Sequence, residues 1–321
     1  MARFGLLGTI THDVITREGG RSFEGLGGVL YQAAGLCALK EDVSVYSTVG
    51  KRLMDALRRA TSEWKSLNLK GLRVVEGPGN EVRLHYPVEG ERQEILKSVG
   101  PPYPAEPVLE ELDGLDFFVF VLNSGFDMAL EDWGEIKRKA RCPVWLDIHS
   151  LALEKRIGSI RTYASVPEWT EWARDVTYIQ ANTAEVAACL GMPGQSLKKE
   201  DLDLFASTAK AVGAKAVFVT LGAEGVWVSA SGKRRRLKPE LATEVADSTG
   251  CGDVFCAATA ARLQEGANPF DAASYGMHLA SEAVGVSGIS GTYRLLRRKA
   301  RNSLESGFPG IHVYSGNTDS S

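Results

Sequence analysis

Short runs rich in β-branched and aromatic residues recur along this chain: RFGLLGT (3–9), DVSVYSTV (42–49), LDFFVFVL (115–122), PVWLDI (143–148), DVTYIQA (175–181) and KAVFVTLG (215–222). The segments between them carry apolar residues at helical spacing. A strand that leads into a helix rejoins its sheet by a crossover, so this alternation predicts a mainly parallel sheet with helices on both faces. Helices are expected over about Gly28–Lys40, Arg52–Lys65, Leu130–Ala140, Asn182–Leu190 and Leu197–Val212. With 321 residues the chain can form one large α/β domain or two average ones.

Two stretches interrupt the rhythm. HDVITREGGRSFEGLGG (12–28) and RVVEGPGNEVRLHYPVEGERQEILKSVG (73–100) look like glycine-turned hairpins with no helix between their strands. Together they predict a small sheet over one edge of the main domain, and the proline cluster PPYPAEP (101–107) marks the chain's return. After Gly250 the pattern is helical to about Arg301, and residues 302–321 have so little periodicity that a partly disordered tail is expected there.

Charge and cysteine content exclude several classes of function. The formal net charge of −3 has the wrong sign for a general nucleic-acid binder. The basic runs KRRR (233–236) and RLLRRKAR (294–301) are therefore read as a hairpin tip and a solvated helix face. Five cysteines stand at 37, 142, 189, 251 and 256 without a CxxC pair, which fits reduced thiols in a cytoplasmic protein. The apolar runs are too short to span a membrane, and the first residues lack the long apolar core and cleavage site of a secretory leader.

The segment that carries chemistry is DSTGCGDVF (247–255), followed by an alanine-rich helix former that ends at Gly266. Glycine turns leave backbone N–H groups unpaired at a helix start, where the helix dipole adds partial positive charge, so an anion such as a transferring phosphate can bind. Asp253 on the same turn is placed to take a proton from an attacking hydroxyl. Read by itself, Asp253 is equally an N-terminal helix acid stabilised by the dipole.

Other segments decide between these readings, because in order along the chain they resemble the ribokinase-like (PfkB) carbohydrate kinases. That family's C-terminal signature, D-T-x-G-A-G-D-x-F, is similar to DSTGCGDVF. The resemblance implies Asp253 as catalytic base and Gly250, Cys251 and Gly252 as its anion hole. GTITHD (8–13) looks like the family's first strand, which ends in an aspartate that contacts substrate hydroxyls, here Asp13. GLGGVLYQAAGLCAL (25–39) is similar to the motif G-G-x-x-x-N-x-A, which implies substrate contacts at Gly27, Gly28 and Gln32, with glutamine where asparagine is usual.

STVG (47–50) resembles the end of the next strand, although KRLMDAL replaces the customary aspartate and glycine after it. NTAE (182–185) matches N-x-x-E, so Asn182 and Glu185 would organise magnesium and phosphates, Glu185 holding the metal indirectly. VTLGAEG (219–225) matches the nucleotide segment T-x-G-x-x-G with Thr220, Gly222 and Gly225. Asp247 corresponds to an acid near a monovalent-cation site, which implies potassium.

The resemblance covers nearly the whole chain. It implies an α/β ribokinase-like three-layer sandwich over residues 1–301, with a central mainly parallel sheet and a small β lid built from about 12–28 and 73–100. The implied activity is ATP- and magnesium-dependent phosphorylation of a hydroxyl on a sugar or related polyol. The sequence does not fix the oligomeric state, although an exposed lid edge could pair with a second subunit to give a homodimer. A nucleoside or inositol kinase is the alternative within the family. A non-catalytic ligand-binding regulator is the alternative outside catalysis.

Overall fold

The computed structural model describes residues 1–18, 20, 22–87, 93–239 and 249–306. Its strands are β1 Arg3–Leu7, β2 Ile10–Arg17, β3 Phe23–Gly28, β4 Asp42–Gly50, β5 Leu67–Asn68, β6 Leu72–Val75, β7 Asn80–Tyr86, β8 Gln93–Ser98, β9 Phe117–Val121, β10 Val144–Asp147, β11 Ile160–Arg161, β12 Tyr178–Asn182, β13 Ala216–Thr220, β14 Val226–Ala230 and β15 Lys233–Leu237. A ten-stranded sheet runs in the order β15-β14-β13-β12-β10-β9-β1-β4-β5, with β6 also paired to β4. Its neighbours are parallel from β5 to β13, and only the edge β13-β14-β15 is an antiparallel meander.

Side-chain alternation along the strands sets the layers. On β9, Phe117, Val119 and Val121 face one helix layer while Phe118 and Phe120 face the other. β13 repeats the split, with Ala216 and Phe218 against Val217 and Val219. The first layer holds α1 Leu30–Ala38, α2 Met54–Ala60, α8 Cys251–Gln264, α9 Pro269–Ala283 and α10 Gly288–Ser306; the second holds α3 Glu106–Glu111, α4 Leu130–Lys139, α5 Trp169–Ala173, α6 Thr183–Cys189 and α7 Lys199–Ala211. Aromatic pairs brace both sides: Trp145 stacks on Phe218 at 5.0 Å, and Phe120 meets Trp133 at 4.8 Å. Burying each such ring contributes about 1.5–3 kcal/mol, so the sandwich is held chiefly by these two apolar layers.

The lid is a second sheet, in the order β11-β8-β7-β2-β3, with a small core of its own made by Ile15, Val82, Leu84 and Leu96. The three-layer sandwich and its lid thus follow the expected pattern. Several details depart from it. Residues 73–75, expected to open the lid hairpin, pair in parallel with Thr48–Gly50 and belong to the main sheet. Asp13 does not end the first strand, which stops at Leu7, but lies inside β2 of the lid. β11, from the segment after β10, adds a lid strand that the sequence did not announce.

The helix expected over Arg52–Lys65 ends at Ala60, where the chain turns and Trp64 stacks on Tyr293 of α10 at 5.3 Å. KRRR is the sheet-edge strand β15 and not a hairpin tip; the tip is Ser231 and Gly232, both at positive φ. α10 continues past Arg301 to Ser306, so the expected tail is helical at its start and otherwise lies outside the described residues, as does Asp247. Among the described residues no helix is long and apolar enough to cross a membrane.

Candidate active site

The centre of the site is the start of α8. Gly250 caps it at φ +83, the left-handed region, and a Cβ there would lie 2.5 Å from the ring of Tyr31. Only glycine fits this corner. Gly250 has no side chain with which to cap the helix, and Cys251 and Gly252 begin its first turn on the cavity lining, at the positive end of the helix dipole. Asp253 follows in the same turn. Its Oδ1 accepts a hydrogen bond from Nε2 of Gln32, a fully buried residue of α1. The family-atypical glutamine therefore reaches the acid of the glycine turn.

A second carboxylate stands close by. Asp147 ends β10 and is 3% exposed. Gln180 of β12 donates from Nε2 to Asp147 Oδ2 at 3.1 Å and to the carbonyl of Gly252 at 3.1 Å, tying the sheet's carboxyl edge to the glycine turn. Burial pushes the Asp147 carboxyl well above its usual range, and the charges of Glu185 and Asp253 push the same way, against a backbone hydrogen bond from His149. Asp147 therefore keeps its proton to higher pH than a free carboxyl does.

Asn182 and Glu185 form a reciprocal cap at the start of α6. The Asn182 side chain accepts from Glu185 N–H at 2.9 Å, while Asn182 N–H and Nδ2 donate to the two Glu185 oxygens at 2.8 and 2.6 Å. Both carboxylate oxygens already have protein partners, which suits contact with a metal through water better than direct ligation.

These elements surround a cavity of about 600 Å³. Asp13, Gly28, Asn182 and Glu185 line it, as do Thr220, Gly222 and Gly225 and all of Gly250 to Asp253. Gly27 lies just behind: a Cβ there would meet Asp13 Oδ2 at 1.8 Å, so its absence lets Asp13 point inward. Gly222 has φ +59 and open space where a Cβ would go, which leaves backbone accessible to a bulky ligand. Met277, Ala280 and Val284 add an apolar wall from α9 and its end. Gln32 lies outside the lining.

The structure also brings in residues that the motifs did not flag. Asp147 ends β10, Asn123 follows β9 and Gln180 sits mid-strand in β12, all three on the same cavity. Oε1 of Gln180, Oδ1 of Asn123 and Oγ1 of Thr11 are buried without a hydrogen-bond partner. For Asp147 and Asn123 the signal was present, because open α/β sheets place ligand contacts at the carboxyl ends of their strands.

Residues 134–293 match the model of the pfkB family carbohydrate kinases. No curated protein sequence matches the chain significantly. Ribokinase from Thermotoga maritima superposes with a TM-score of 0.73 at 18% identity, over 94% of this chain and 100% of that one. Ribokinase from Arabidopsis thaliana, solved with ribose and ATP, gives 0.71 at 20% identity, over 92% and 98%. Adenosine kinase from Sinorhizobium meliloti gives 0.72 at 18% identity, over 94% and 99%. Family model and fold agree: residues 134–293 match the pfkB family of carbohydrate kinases, and the chain as a whole has the ribokinase-like fold.

Proposed function

We propose that this kinase-family chain transfers the terminal phosphoryl group of ATP to a hydroxyl of a sugar or related polyol, with Asp253 as general base. The observation that carries this reading is the union, on one turn, of a glycine-led helix start and a carboxylate, both on the cavity that Asp13 also lines. The acceptor binds under the lid, where Asp13, with Gly27 and Gly28 behind it, accepts hydrogen bonds from its hydroxyls. Asp253 removes the proton of the reacting hydroxyl as the new O–P bond forms and the bond to the ADP oxygen breaks. The proton stays on the carboxylate, and ADP leaves.

N–H groups of Gly250, Cys251 and Gly252 stabilise the charge on the transferring phosphoryl oxygens. A protonated Asp147 serves the same end, since a further negative charge there would raise the Asp253 pKa and repel phosphate. Thr220, Gly222 and Gly225 line the nucleotide end, with the apolar wall of α9 suited to a base. When bound, magnesium supplies positive charge to the phosphates, and Asn182 and Glu185 would hold its waters. The lid excludes bulk water, which favours transfer over hydrolysis.

The test is ADP release with ATP and magnesium across sugars, cyclitols and nucleosides. Acceptor-dependent release supports the reading, and the acceptor that works separates a sugar or cyclitol kinase from a nucleoside kinase. ATP binding with no acceptor-dependent release would overturn it in favour of a ligand-binding role on this fold.

A further inference from the structure

The lid carries a buried carboxylate that phosphoryl transfer does not use. Glu94 of β8 lines the cavity at 6% exposure, and Arg161 of β11, its cross-strand partner, holds its Oε1 from Nη1 at 3.0 Å. The Arg161 side chain is wholly buried. Its Nε donates to the Glu154 carbonyl at 2.8 Å, and its Nη2 donates to the Ser124 carbonyl at 3.0 Å and the Ser150 carbonyl at 3.4 Å. Ser124 follows β9 and Ser150 follows β10, so one guanidinium ties the lid to the carboxyl edge of the main sheet. Taking such a pair out of water costs several kcal/mol per ion, so stability alone is a poor reason for it.

Register gives the pair a purpose. Asp13 pairs with Val82 and Ile15 with Leu84 across β2 and β7, and Leu84 pairs with Glu94 across β7 and β8. Since alternate residues share a face, Thr11, Asp13, Val82, Leu84 and Glu94 all lie on the cavity side of the lid. Asp13 and Glu94 are two strands apart, which puts their Cα atoms roughly 10–12 Å from each other across an apolar strip of Val82 and Leu84. Thr11 Oγ1 and Asn123 Oδ1, buried and unpartnered on the same cavity, each forgo about 1–3 kcal/mol until a donor arrives. The wall thus offers oxygen acceptors at both ends and hydrocarbon between them.

The geometry points to a second acceptor-hydroxyl subsite at Glu94, at the end of the wall opposite Asp13 and Thr11. Its ligand is an uncharged ring polyol whose C–H face rests on Val82 and Leu84 and whose hydroxyls reach Asp13 at one end and Glu94 at the other. Arg161 is the positioning residue that aims Glu94. This rests on the kinase reading only in naming that ligand as the phosphoryl acceptor.

Calorimetric titration without ATP tests it directly, using ribose, glucose, myo-inositol, adenosine and glucose 6-phosphate as probes on the parent, Glu94→Gln and Arg161→Lys. The expected result is binding of at least one uncharged ring polyol, weakened about tenfold or more in Glu94→Gln, with nucleotide affinity retained in a folded protein whose melting temperature falls because Arg161 loses its buried counter-charge. In turnover assays the same variant raises the acceptor KM and leaves the ATP KM unchanged, and Arg161→Lys adds nothing to Glu94→Gln in the double variant. Parent-like polyol binding by Glu94→Gln, preference for the phosphorylated sugar, or no polyol binding by the parent would each overturn the proposal. Binding that depends on Glu94 in a protein without turnover would uphold the subsite and refute the kinase reading instead.

Discussion

Replacing Gly250 by alanine tests whether the glycine turn is built as described. The backbone at φ +83 costs a residue with a Cβ about 1–2 kcal/mol. The new methyl would also lie 2.5 Å from Tyr31 Cδ1, in a wall that includes fully buried neighbours on α1, and such overpacking costs about 1–3 kcal/mol. The sum, about 2–5 kcal/mol, lowers Tm by about 4 °C or more at the 2–4 °C per kcal/mol usual for chains of this order of size. Gly191 is the control, because it has φ +75 with nothing within 4 Å of a Cβ, so Gly191→Ala bears only the backbone cost. If the two N–H groups after Gly250 hold the transferring phosphoryl group, Gly250→Ala also loses on the order of 10²–10³ in turnover. Calorimetric melting of both variants, with ADP release alongside, decides. A Gly250→Ala protein that melts with Gly191→Ala and turns over like the parent would refute both the packing argument and the anion hole.

Two further substitutions probe the acids. Asp147 keeps its proton in the folded protein at pH values where the unfolded chain, at its ordinary pKa of 3.8, has lost it. The stability it contributes is therefore complete below that value and falls as pH rises toward the raised folded pKa, since the native state binds more protons there. Asp147→Asn removes that slope, so urea melts from pH 4 to 8 should show the variant gaining on the parent as pH rises, with turnover at neutral pH kept within a few-fold. Parallel curves would contradict a protonated Asp147. Gln32→Leu removes the donor to Asp253 without a large volume change, and a fall of about tenfold in kcat, ~1.4 kcal/mol, with little change in acceptor KM is expected. A raised KM at constant kcat would instead make Gln32 a substrate contact.

The sandwich was legible because each strand carries its own alternation; β9 alone, with five consecutive buried residues shared between two cores, announces a strand covered on both faces. The glycine turn was legible because its residues are adjacent in sequence. Asp13 was placed on the right cavity but on the wrong strand, since GLLGTITHD reads as one apolar run and only the pairing of Ile10–Ile15 with Phe23–Gly28 separates β2 from β1. Asp147 and Asn123 stand at the carboxyl ends of apolar strands, so the reasoning applied to Asp13 extends to them, whereas Gln180 is mid-strand in β12 and only the structure brings it to the site. Glu94 and Arg161 stand 67 residues apart, Arg161 on a strand of two residues that carries no pattern, and nothing local could have joined them.

The central claim is that Asp253 takes the proton during transfer. With a working acceptor and ATP both saturating, ADP release by Asp253→Asn compared with the parent tests it most directly, because asparagine keeps an oxygen for Gln32 Nε2 and preserves the local packing. A loss of about a hundredfold or more in kcat, with nucleotide affinity unchanged, is the predicted result. Turnover equal to the parent would remove Asp253 as the base and, with it, the mechanism built on the glycine turn.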